Sequence, residues 1–114
     1  MSKLFAMVVP VLPGKETEWK TWIDELSTSR FKDFADSRKK LKVRERSFLQ
    51  HTPMGDMVIV TLEGDDPEAA FAEFAGTDDE FSRWFSASVQ RLHGVDLTQP
   101  PPGPMPELMI DSGA

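Results

Sequence analysis

In this 114-residue chain, the residues whose types and spacing suit chemistry are few: His51, an Arg46/Glu63 pair with Gln50 beside it, three tryptophans, and His93. His51 ends the β-like run Val43 to His51 and is the only histidine on a predicted strand. A neutral imidazole there, at the hairpin end of an aliphatic sheet face, could act as a general base or orient a substrate carbonyl. The plainer reading is a histidine next to a turn, hydrogen-bonded to backbone or water. Arg46 and Glu63 are predicted cross-strand neighbours, either an ion pair fixing strand register or a clamp in which Arg46 grips a carboxylate, with Gln50 adding an amide contact. Trp22 and Trp84 are candidate walls for a flat ligand, although rings at helical spacing more often fill a core. His93 stands just before Gly94, where a C-terminal helix position facing the dipole explains it without function.

Much chemistry is absent. The chain has no cysteine, which removes disulfides, thiolate metal ligands and a cysteine nucleophile. Two histidines on separate elements, with no acidic partner at a recognisable spacing, make no metal site. No phosphate-binding glycine loop, nucleophile elbow or His-Glu-x-x-His pattern occurs, so neither a metal nor a cofactor is expected. A net charge of −6 argues against nucleic acid or an anionic membrane as partner, and no stretch nears the roughly 20 apolar residues of a membrane span. The eight-residue apolar run Leu4 to Val11 lacks the flanks of a secretion signal, which makes the cytoplasm the default location. Charge is uneven, with eight of the thirteen basic residues between 30 and 46, and nine acids but no base between 47 and 82. The run is either a solvated helix end or an anion-attracting rim at a pocket mouth.

These side chains need elements to position them. Leu4 to Val11 is apolar at both alternating sets of positions and reads as a strand covered on both faces. Trp19, Trp22, Ile23 and Leu26 recur at i, i+3, i+4, i+7 and predict a helix from about Lys15 to Leu26. Beyond Ser27-Thr28-Ser29 the apolar positions Phe31, Phe34 and Leu41 leave that stripe, so a break is expected, with Ser29 as a second N-cap. Val43 to His51 and Met57 to Glu63 flank Pro53-Met54-Gly55-Asp56 and predict a hairpin. Closed symmetrically about Met54 and Gly55, it sets His51 opposite Val58 and Arg46 opposite Glu63. Asp66 before Pro67 starts a short helix that stops at Gly76, and Thr77 with Glu80 has capping-box spacing before a helix closed by His93-Gly94. Five of nine prolines lie after Leu97, leaving Glu107 to Ile110 as a candidate last strand.

A chain this long buries about two thirds of its surface in one core. Residues 1–98 are expected to form one domain, followed by a Pro-rich tail over 99–114. The predicted order is that of a ferredoxin-like βαββαβ α+β sandwich, with both helices on one face of an antiparallel sheet. The other face would carry the outward side of the first strand with Phe48, Met57 and Ile59, so burial against a second copy, as a homodimer, is expected.

The element order resembles the dimeric α+β barrel superfamily, which includes cofactor-free antibiotic-biosynthesis monooxygenases and muconolactone-isomerase-like enzymes. Leu49-Gln50-His51-Thr52-Pro53-Met54-Gly55-Asp56, Thr61-Leu62-Glu63-Gly64-Asp65-Asp66-Pro67 and Phe81-Ser82-Arg83-Trp84-Phe85 through His93-Gly94-Val95-Asp96 look like a small bacterial branch of it, over residues 3–98. The resemblance implies a homodimeric barrel with a small-molecule site between sheet and helices. The group's monooxygenases commonly use a tyrosine, and this chain has none. The expected function is binding of a small aromatic or carboxylated metabolite, with cofactor-independent oxidation or isomerisation through His51. The competing class is a non-catalytic dimeric module in which Arg46 and Glu63 lock the interface.

Overall fold

The computed structural model describes residues 2–100 and 103–113. Strands β1 (Lys3–Pro10), β2 (Val43–Thr52) and β3 (Gly55–Gly64) form one antiparallel sheet in the order β1-β3-β2. Helices α1 (Glu16–Ser27) and α2 (Phe31–Lys40) connect β1 to β2, and α3 (Pro67–Ala75) and α4 (Glu80–His93) follow β3. The fold is α+β, as expected. No strand forms over Glu107–Ile110, where Leu108, Met109 and Ile110 are largely exposed. The tail there makes no ladder bonds, so the predicted sixth element is absent from the described residues.

Pairing across the sheet fixes which side chains share a face. Val9, Val58 and Leu49 stand side by side, as do Met7, Val60 and Ser47, and Phe5, Leu62 and Glu45. This face carries the helices. Val58 is buried with Trp19, Trp22, Leu26, Phe74, Phe85 and Leu92 in one core cluster. The opposite face has no helix, and its Leu4, Val8 and Phe48 are about half exposed, at 52%, 46% and 54%.

The hairpin closes through Pro53 and Met54, with Thr52 opposite Gly55, rather than about Met54 and Gly55. Gly55 takes a φ of 120°, which a side chain would strain. The register is therefore two residues from the predicted one, and because side chains alternate with period two, every residue keeps its predicted face. His51 now faces Asp56 and Arg46 faces Thr61.

Helix boundaries follow their caps. Asp66 accepts the Ala69 N–H at 3.1 Å with Pro67 in the first turn. The last helix starts two residues later than its capping-box spacing suggests: Asp79, not Thr77, caps it, accepting the Ser82 N–H at 2.7 Å. That bond holds the Asp79 carboxyl below its ordinary range. Gly94, at a φ of 70°, ends it in the left-handed conformation. α1 stops where Ser27 and Thr28 turn their hydroxyls back onto the carbonyls of Ile23 and Asp24, at 2.8 and 2.6 Å. α2 then opens from Arg30 without a side-chain cap, so Ser29 does not serve as one.

Candidate functional site

A cavity of about 530 Å³ lies between the helix-bearing face of the sheet and the helices. Its floor includes Val58, Val60 and Leu62 of β3; α1 supplies Trp19 and Trp22, and α2 supplies Phe34 and Arg38. The tail reaches it too, through Gly103 to Pro106. Such a size and apolar lining suit one small organic molecule.

Arg38 is the least expected residue in this wall. It is only 7% exposed, and its Nε donates to Glu45 Oε1 at 2.7 Å, an ion pair in which both side chains are under one-tenth exposed. The guanidinium also lies over three rings, 4.9 Å from the centroid of Phe34, 4.4 Å from Phe74 and 4.7 Å from Phe85. Phe34 stacks on Phe85 at 6.2 Å while Phe74 meets Phe85 edge-on at 5.4 Å. A buried charge is tolerable when both a counter-ion and ring faces compensate its lost hydration.

His93, at the end of α4, is 5% exposed and lines the same cavity. Its Nδ1 lies 2.6 Å from the carbonyl oxygen of Pro10, so this nitrogen carries the proton and donates. Burial pushes the imidazole below its ordinary value against the opposing pull of that bond, which leaves a neutral ring with a lone pair on Nε2. Nearby, Asp96 accepts the Thr98 N–H at 2.9 Å and hydroxyl at 2.6 Å, which keeps its carboxyl below the usual range.

Of the eight residues singled out from sequence, the cavity gathers three, Trp19, Trp22 and His93. Trp84 sits behind it, 6.1 Å from the Trp22 ring, with the Arg30 guanidinium 4.4 Å over its own face. Arg30 in turn holds Glu80 through two bonds of 2.9 and 2.8 Å, tying the starts of α2 and α4. His51 is on the expected sheet face, with its side chain 71% exposed and Nδ1 2.7 Å from Asp56 Oδ1. It does not line the cavity, whereas His93 does. Arg46 and Glu63 do pair, at 3.2 Å, but diagonally and on the open face, each more than a third exposed. Gln50, on that same face, donates to the His51 carbonyl at 2.9 Å.

Arg38 and Glu45 were legible as a pattern. Phe31, Phe34, Arg38 and Leu41 recur at spacings of three, four and three, which puts Arg38 on the apolar stripe rather than in the solvated basic run. Glu45 alternates with Val43, Ser47 and Leu49 on the inward side of β2.

Among the described residues no group of acidic, histidine or cysteine side chains could hold a metal ion, and no helix is long and apolar enough to cross a membrane. Comparison of the chain with protein-family models, curated proteins and solved structures finds no match.

Proposed function

We propose that this protein binds a small, ring-bearing metabolite in the cavity between its sheet and helices, with Trp22 in the wall and His93 as the one imidazole at hand. The observation that carries the reading is an apolar space of about 530 Å³ with a neutral, oriented histidine in its lining. A base of this kind suits proton transfer in a cofactor-independent isomerisation or oxidation of an aromatic substrate. The cysteine-free composition is compatible with the cytoplasm.

The same reading pairs two copies in a ferredoxin-like α+β barrel. The strand order β1-β3-β2 leaves β1 at an edge, where a fourth strand of that fold would stand. The half-exposed Leu4, Val8 and Phe48 supply the apolar face for a partner copy. A non-catalytic dimeric module is the second reading, favoured by the position of Arg46, Glu63 and His51 outside the cavity.

A metabolite screen by thermal shift tests the binding claim on wild type, His51→Ala and Val60→Trp. Val60 lines the cavity from the central strand, and an indole there fills it. A hit is expected to stabilise wild type and His51→Ala alike and to lose its effect in Val60→Trp. Stabilisation that survives Val60→Trp but vanishes in His51→Ala would move the site to the hairpin and overturn the reading.

A further inference from the structure

The wall of the cavity holds a hydrogen-bond donor with spare capacity, Arg38. Trp19 Nε1 and Trp22 Nε1 have no partner, but protein encloses both, out of reach of a molecule in the cavity. Arg38 uses Nε on Glu45 and Nη1 on the Ser37 hydroxyl at 2.9 Å, which leaves Nη2 without an acceptor among the described residues. Buried N–H groups left without acceptors are costly, so a site built this way gains by taking one in.

The charge of the wall runs the other way from its donors. The ionised residues lining the cavity are Arg38, Glu45 and Asp96. Glu45 cancels Arg38 at 2.7 Å, and Asp96 leaves the lining with a net negative charge. A carboxylate entering an apolar space would meet no free cation there, lose its hydration and face two like charges.

We propose that the cavity selects an uncharged, ring-bearing molecule whose hydrogen-bond acceptor, such as a ketone oxygen, meets the free N–H groups of Arg38, and that Glu45 is the residue that excludes carboxylates. This rests on the cavity being the binding site and narrows its ligand from aromatic or carboxylated molecules to neutral acceptors. The selecting device is the ion pair itself: it keeps the donating capacity of the guanidinium while removing its charge.

Three probes of one shape separate the effects: 2-acetonaphthone, 2-naphthoate and 2-ethylnaphthalene, titrated by calorimetry and followed by the guanidinium N–H signals of Arg38. In the wild type the ketone is expected to bind about tenfold tighter than the hydrocarbon and than the carboxylate, the size of one hydrogen bond to a buried donor. The Arg38 guanidinium N–H signals should move downfield with the ketone and stay with the hydrocarbon. In Glu45→Gln, which keeps an acceptor for Arg38 Nε but frees its charge, 2-naphthoate should gain about tenfold and the ketone stay level. Naphthoate binding as well as the ketone in the wild type overturns the proposal, as does a Glu45→Gln protein that gains nothing for it. Equal affinity for ketone and hydrocarbon also overturns it while leaving the cavity as a binding site. Failure of all three to bind removes both. Should Glu45→Gln not fold, the wild-type series decides alone.

Discussion

Arg38 Nε donates to Glu45 Oε1 at 2.7 Å from α2 to β2, with both side chains under one-tenth exposed. The two ends of this bond are not equivalent. Arg38 also lies on three ring faces, whereas Glu45 has no second cation beside it in the cavity lining. Arg38→Met is therefore expected to cost about 3–5 kcal/mol, the usual penalty for stranding one partner of a buried pair. Glu45→Gln should cost less, because the rings and the amide oxygen still compensate the guanidinium. Urea unfolding of the two variants ranks them, and a larger loss in Glu45→Gln would refute the asymmetry.

His93 links stability to pH. Its imidazole is held below the ordinary value of 6.5 chiefly by burial, so the unfolded chain takes up a proton before the folded one does. Stability is full above the unfolded value and falls as pH drops below it, until the folded ring is also protonated. Wild type should lose stability between about pH 7.5 and pH 5.5, and His93→Gln should lose less over that window. Parallel curves for the two proteins would show that the ring does not carry the effect.

Gly55 occupies a φ of 120° in the turn, with open space around the position where a side chain would begin. Any cost of substitution is thus conformational and not steric. Gly55→Val is expected to destabilise by about 1–3 kcal/mol. A neutral result in denaturant unfolding would mean that the turn adopts another form.

On the open face, Val8 and Phe48 are 46% and 54% exposed. A Phe48→Lys substitution places a charge where the proposed dimer would bury a ring. Sedimentation at about 10 µM should give dimers for wild type and single chains for the variant, since an unpaired buried charge outweighs the contacts it replaces. Single chains for both would remove the dimer.

The elements were legible because their signals are local: the Trp19, Trp22, Ile23, Leu26 stripe, Asp66 before Pro67, and Gly94 after His93 each act within a turn or two. Asp79 displaced Thr77 as a cap because two oxygen-bearing side chains compete within three residues, and spacing alone does not choose between them. The hairpin register slipped by two because Pro53-Met54 and Met54-Gly55 are both plausible loop centres, yet the face of every residue survived. The Arg46–Glu63 pair consequently forms on the diagonal. The site was the least legible part. His51 was placed on the right face, but how much of a strand end is covered is set by packing, and the His51 side chain stays 71% exposed. His93 enters the cavity only because α4 returns to Pro10, 83 residues earlier, a contact with no local signature.

The most direct measurement is amide and methyl chemical-shift mapping of wild type titrated with a screening hit. Binding in the cavity should perturb Val58, Val60 and Leu62 on the central strand together with Trp22 and His93, and leave His51 and Asp56 unmoved. Shifts confined to His51 and Asp56, or to Arg46, Phe48 and Glu63 on the open face, would contradict a ligand site between sheet and helices.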